Sequence, residues 1–238
     1  MRRVKMARGE SLAAPTGMQE RGNPRLKRGL TRIAANFGRQ VPGLRERKKA
    51  RLRQEIIDTA VKLFRKRGYE KTRIDDIVAI LEISQPTFFR YFPTKDAVLR
   101  EVGRRGFACQ IERLKFELSS KATTADRLRR FYRSVARIAE DDRRLWQAVV
   151  LSGAMDPVRS PDMREPEQAT VQLLREILEQ GQTNGDVTRD FPIVHLAEFM
   201  EGLYTTVVRQ WAVDLTGPHK LAERVGNAVE FFIRAVKV

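Results

Sequence analysis

Between Thr72 and Lys95 the chain reads TRIDDIVAILEISQPTFFRYFPTK, and that stretch leaves few options for what surrounds it. Ile74, Ile77, Val78 and Leu81 recur at helical spacing and predict a short helix with one buried stripe. Thr72, with Asp75 three residues later, fits a capping box at its start. Ser84 is expected to cap a second helix, with Pro86 early in it, where a missing N–H costs no intrahelical bond. Phe88, Tyr91 and Phe92 follow at i, i+3 and i+4 and would pin that helix to a core. Pro93 ends it, Thr94 caps the next helix, and Asp96 complements the dipole of its first turn. Two short helices joined by a turn of about three or four residues make a helix-turn-helix, whose second helix enters the major groove of DNA.

Charge supports the same reading through its distribution. The net formal charge is +16 over 238 residues. Residues 1–44 hold 10 basic and 2 acidic side chains, and residues 45–105 hold 17 and 9. Residues 106–238 hold 19 of each, so the whole excess lies in and before the proposed reading head. A phosphate backbone calls for such a local positive surface. The first 44 residues, rich in Arg, Gly, Pro and Ala, read as a disordered basic tail. Such a tail is a solvated extension, an upstream extension with Met18 as the true start, or an arm that tracks phosphates or the minor groove. From Arg45 to Arg67 the pattern is helical, with Ile56, Ile57, Ala60, Leu63 and Phe64 as the apolar stripe and Gly68 just past its end.

The run from Glu55 to Leu99 resembles the DNA-binding domain of the TetR family of bacterial transcriptional regulators. The resemblance rests on Ala60, Leu63, Phe64, Gly68 and Tyr69 at the end of the first helix, on Asp75, Asp76 and Ile77 in the second, and on SQPTFFRYFPTKD across the third and into the fourth. It implies an all-α fold: an N-terminal three-helix DNA-binding domain with a helix-turn-helix, followed by a larger helical domain for ligand binding and dimerisation. The expected division is a tail over 1–44, the DNA-binding domain over 45–105, and the effector and dimer domain over 106–238.

The resemblance places Gln85, Pro86 and Thr87 where base edges are contacted. Their chemistry agrees, since Gln pairs bidentately with adenine, Thr serves as donor or acceptor, and the Pro ring or Thr methyl packs on a thymine methyl. Arg53, Arg73, Arg90, Tyr91 and Lys95 are the expected phosphate contacts. Two positions depart from the family pattern. Glu82 stands in the turn where Gly is frequent, and Phe89 replaces a Tyr whose hydroxyl would reach a phosphate.

Residues 106–238 read as helical throughout. The expected segments are 107–118, 125–140, 143–154, 166–180, 194–215 and 219–236, with Gly181 and Gly217 as C-terminal stops and Asp141 capping the segment from Arg143. A separate helix is expected to end near Gly103. The last two segments carry Val194, Leu196, Phe199, Leu203, Val207 and Trp211, then Leu221, Val225, Val229, Phe232, Ile233 and Val236. That is more apolar surface than one stripe each requires, and a four-helix interface with a second copy would use it. By family analogy a lipophilic effector binds between helices of this half, with Trp146, His195 and Tyr204 as the candidate pocket residues.

The inventory argues against catalysis. The chain has two His and one Cys with no metal-ligand spacing, and no nucleophile elbow, Walker loop or dinucleotide fingerprint, so no catalytic residue, metal or cofactor is assigned. One Cys excludes an internal disulfide, and no run of about 18 apolar residues suggests a membrane span. The expectation is a cytoplasmic homodimer on a palindromic operator in double-stranded DNA, acting as a repressor released by a small lipophilic effector. The alternative is a low-specificity basic architectural DNA binder.

Overall fold

The computed structural model describes residues 43–214 and 220–238, and within them every regular element is helical. The basic tail, apart from its last two residues, lies outside the described residues, as do Gly217 and His219. Helix α1 spans Leu44–Arg67 and buries Ile56, Ile57, Ala60, Leu63 and Phe64, the predicted stripe. Gly68 follows with φ 87°, a conformation that spares glycine the Cβ penalty. Helix α2 spans Ile74–Leu81, α3 spans Gln85–Tyr91, and α4 starts at Lys95. The three residues between α2 and α3 are the expected tight turn.

Of the three caps predicted in the helix-turn-helix, two stand as read. The Ser84 hydroxyl accepts from the Thr87 N–H at 3.3 Å, and the Thr94 hydroxyl accepts from the Ala97 N–H at 3.1 Å. The box at Thr72 and Asp75 is displaced by one residue. Arg73 is the N-cap of α2, and its backbone N–H donates to the Asp76 carboxylate at 2.9 Å. Thr72 is instead buried, and its hydroxyl donates to the Gly68 carbonyl at 2.8 Å, which ties off the end of α1. A threonine can satisfy its hydroxyl backwards as well as forwards along the chain, and sequence spacing does not distinguish the two.

Helix α4 is the largest departure. It runs unbroken over Lys95–Ser119, so the stop near Gly103 and the new start at Phe107 are both absent. The glycines serve contact rather than termination. A Cβ at Gly103 would lie 2.7 Å from Met155 Cγ, and one at Gly106 would lie 2.6 Å from the Trp146 ring. Bare backbone lets the segment carrying Trp146 and Met155 approach α4 closely.

The remaining helices are α5 (Thr124–Asp141), α6 (Arg143–Leu151), α7 (Arg164–Asn184, preceded by a 3₁₀ turn at Pro161–Met163), α8 (Ile193–Val213) and α9 (Leu221–Val236). Helix α6 is shorter than read, and Asp141 does not cap it. Asp142 holds the N-cap position without a side-chain cap bond, its carboxylate being taken by Arg65 at 2.6 Å. Gly181 is not a stop either. It lies inside α7, where a Cβ would meet Thr124 and Val187 within 2.5 Å, and Gly185 with φ 80° ends the helix. Helices α5, α8 and α9 pack with α4 and α7 around one apolar core that includes Leu114, Tyr132, Ile177, Met200, Trp211 and Phe232. A second core joins α1–α3 to the first half of α4 and to Leu145 and Val149 of α6.

Candidate nucleic-acid interface and an adjoining cavity

Helix α3 is short, and its placement follows from one buried side. Phe88 is fully buried and Phe92 nearly so, and their rings lie 6.2 Å apart. The opposite side is free. Gln85, Pro86, Phe89 and Arg90 are exposed, with Thr87 and Tyr91 half-buried. Thr87 also shares a 2.9 Å hydroxyl contact with Ser84, which fixes its side chain at the first turn. The Gln85 amide N–H₂ donates to the Asp75 carboxylate on α2, so the residue proposed to read bases is already oriented by its neighbour helix. Arg90 stacks its guanidinium 5.7 Å from the Tyr91 ring.

The turn feeding α3 keeps its left-handed geometry without glycine. Glu82 sits at φ 53°, ψ 39°, and its N–H bonds back to α2. It is the one non-glycine residue with positive φ among the described residues. A residue with a Cβ there costs on the order of 1 kcal/mol.

The basic residues expected on phosphates divide into two kinds. Arg73 and Arg90 are exposed. Arg53 and Lys95 are structural ties as well. Arg53 donates to Glu101 on α4 at 2.8 Å and lies 4.9 Å from the centre of the Phe92 ring. Burial acts to raise the Glu101 carboxyl, but the hydrogen bond and charge of Arg53, together with Arg105, prevail and hold it below the ordinary carboxylate range. Lys95 donates to the carbonyls of Tyr69 at 2.8 Å and Thr72 at 3.0 Å. Its ammonium has one donor left for a phosphate.

A cavity of about 1010 Å³ opens among α1, α4, α5, α6 and α8. Ile57, Val61 and Arg65 of α1 line one wall, and Val102, Gly106 and Phe107 of α4 line another. Trp146 and Tyr204 also line it. His195 does not: it is exposed on α8 with its ring 6.3 Å from Phe199, on the outward face of the helix. Position along α8 decides this, because His195 lies one residue from the inward-facing Leu196 and so turns away from the core.

Sequence reading missed Glu201, a carboxylate on α8 that lines the cavity. Burial, and then the nearby Glu167 charge, push it up to about 7, against a weak hydrogen bond from Thr205. The only signal was an acid set close to Ala197, Met200 and Tyr204 on α8. Also missed was the Arg65–Asp142 pair, which joins α1 to the start of α6 at the cavity's edge.

Four similarities bear on this geometry. Residues 56–102 match the profile of bacterial regulatory proteins of the tetR family. The HTH-type transcriptional regulator TcmR of Streptomyces glaucescens is 44% identical over 57 residues, which is 24% of this chain and 25% of that protein. The chain thus matches about a quarter of that relative's length. The HTH-type transcriptional repressor DhaR of a Mycobacterium species (strain GP1) is 25% identical over 152 residues, covering 63% of this chain and 76% of that one. Among solved structures, Thermus thermophilus FadR, a TetR family repressor crystallised with lauroyl-CoA, superposes with a TM-score of 0.62 at 27% identity. The superposition covers 78% of this chain and 95% of that one.

Proposed function

We infer from its place in the TetR family of bacterial transcriptional regulators, to which this chain belongs, that the protein is a sequence-specific DNA-binding repressor relieved by a small lipophilic ligand. The observation that carries this is α3: one side held in the core by Phe88 and Phe92, the other presenting Gln85, Pro86 and Thr87 at its N-terminal end. Those three contact base edges, and Arg53, Arg73, Arg90, Tyr91 and Lys95 contact phosphates. The division into a basic tail over 1–44, a reading domain over 45–105 and an effector and dimer domain over 106–238 belongs to the same reading.

A single short reading helix binds weakly, and two related by a two-fold axis address half-sites about 34 to 36 Å apart. The second copy docks on α8 and α9, where Val194, Phe199 and Phe231 are exposed beside the buried core positions. A palindromic operator follows from that symmetry. The ligand occupies the cavity, with Trp146 and Tyr204 among its walls, and reaches α1 directly through Ile57, Val61 and Arg65. A ligand that favours a different placement of α1 changes the spacing of the two reading heads, and it shifts DNA affinity only as far as it prefers that placement. That the similar FadR holds lauroyl-CoA supports a largely apolar body for the ligand here. The protein works in the cytoplasm without catalytic activity, metal or cofactor; among the described residues no helix is long and apolar enough to cross a membrane.

The test is selection of bound duplexes from a random pool by the purified protein near physiological salt. An enriched inverted repeat is expected. Steeply salt-dependent binding with no enriched sequence would instead support the architectural alternative.

A further inference from the structure

The polar groups of the cavity are unevenly matched. Each guanidinium lining it already has an acid: Arg65 with Asp142 at 2.6 Å, Arg105 with Glu101 at 3.4 Å, and Arg209 with Asp156 at 3.5 Å, while Lys62 of α1, also on the wall, has no ion pair among the described residues. Glu201 has no such partner among the described residues. Its one hydrogen bond comes from the Thr205 hydroxyl at 3.4 Å, at the long end of the range. Glu167 of α7, also on the cavity wall, has no ion pair among the described residues either. Near Glu201 stand aromatic rings, with Tyr204 on α8 and Tyr132 behind it on α5.

We propose that the cavity takes a lipophilic organic cation, whose ammonium nitrogen is held by Glu201 and Glu167 and whose apolar body lies against Trp146, Tyr204 and Trp211. The proposal rests on the reading of this cavity as the effector site and adds the charge of the ligand's head group. An unpaired carboxylate in an apolar wall is costly, and a ligand ammonium removes that cost while gaining the aromatic faces. A carboxylate or phosphate head would bring a third negative charge beside two that are already unmatched. Glu201 held up to about 7 by burial and by Glu167 is what an acid lacking its counter-ion looks like, and the cation is the missing partner.

The chain has two tryptophans, Trp146 and Trp211, and both line the cavity, so intrinsic fluorescence reports occupancy directly. The experiment titrates the full-length protein with dodecylammonium, dodecanol and dodecanoate below their micellar concentrations, and with lauroyl-CoA, at a pH above the Glu201 value. The same series is run on Glu201→Gln. Dodecylammonium is expected to bind at least about tenfold more tightly than dodecanoate, with Glu201→Gln removing most of that preference and leaving dodecanol binding unchanged. Dodecanoate or lauroyl-CoA binding as tightly as dodecylammonium, or a preference that survives Glu201→Gln, overturns the head-group assignment and leaves the cavity as an effector site. Silence from all four probes removes the effector site itself.

Discussion

Lys95 is bound to Tyr69 twice over: its ammonium donates to the Tyr69 carbonyl at 2.8 Å and lies 4.0 Å from the centre of the Tyr69 ring. With the Thr72 carbonyl at 3.0 Å, this fixes the start of α4 to the segment between α1 and α2. A residue at a proposed phosphate-contact position therefore also holds the reading head together. Lys95→Ala should destabilise the protein by about 2 kcal/mol, seen in denaturant midpoints. It should also weaken all DNA sequences alike, because a phosphate contact carries no base information.

Glu82 makes a prediction of opposite sign. At φ 53° it occupies a conformation that costs glycine nothing. Glu82→Gly should raise stability by up to about 1 kcal/mol, the relieved strain being partly offset by a freer unfolded chain. Glu82→Ala, which keeps a Cβ, should bring none of that gain. Thermal melts of the three proteins decide it.

At Gly106 the added methyl is the probe. A Cβ there would stand 2.6 Å from the Trp146 ring, far inside contact distance. Gly106→Ala should cost about 1 to 3 kcal/mol, despite alanine's better helix propensity. It should also shift the Trp146 fluorescence. A stabilising effect would mean that α4 and α6 are not packed as described.

Glu201 sets a pH dependence. Unfolded, it ionises around 4.5; folded, around 7. Between those values the native chain holds more protons than the unfolded one, so stability falls as pH rises through that window, by at most about 3 kcal/mol. Above about 7 the whole penalty is present. Glu201→Gln should flatten the window and exceed the wild type in alkaline but not in acidic solution, as urea unfolding at both ends will show.

The helix-turn-helix was legible because its signals are local. Ser84, Thr94 and Gly68 act on groups within four residues, and the stripes of α1 and α2 need only a period. What escaped was set by distant partners. Gly103 and Gly106 look like breaks in a chain read alone, and become contact points only once Met155 and Trp146 are opposite. Asp141 was the expected cap, but Asp142 holds the N-cap position, and its carboxylate is taken by Arg65, far away in sequence. The cavity divides the same way. Trp146 and Tyr204 line it, as large aromatics suit such walls, and His195 points away from it by its rotation about α8. Glu201 went unnoticed because nothing nearby in sequence marks it as lacking a counter-ion.

The central claim is that α3 reads bases through its first turn, with Gln85 held in place by Asp75. Its most direct test compares wild type and Gln85→Ala on two duplexes, the selected inverted repeat and a scrambled copy, by fluorescence anisotropy at fixed salt. The account predicts a loss of about 1 to 3 kcal/mol on the repeat and no change on the scrambled duplex. An equal loss on both, or none on either, would contradict base reading by this helix.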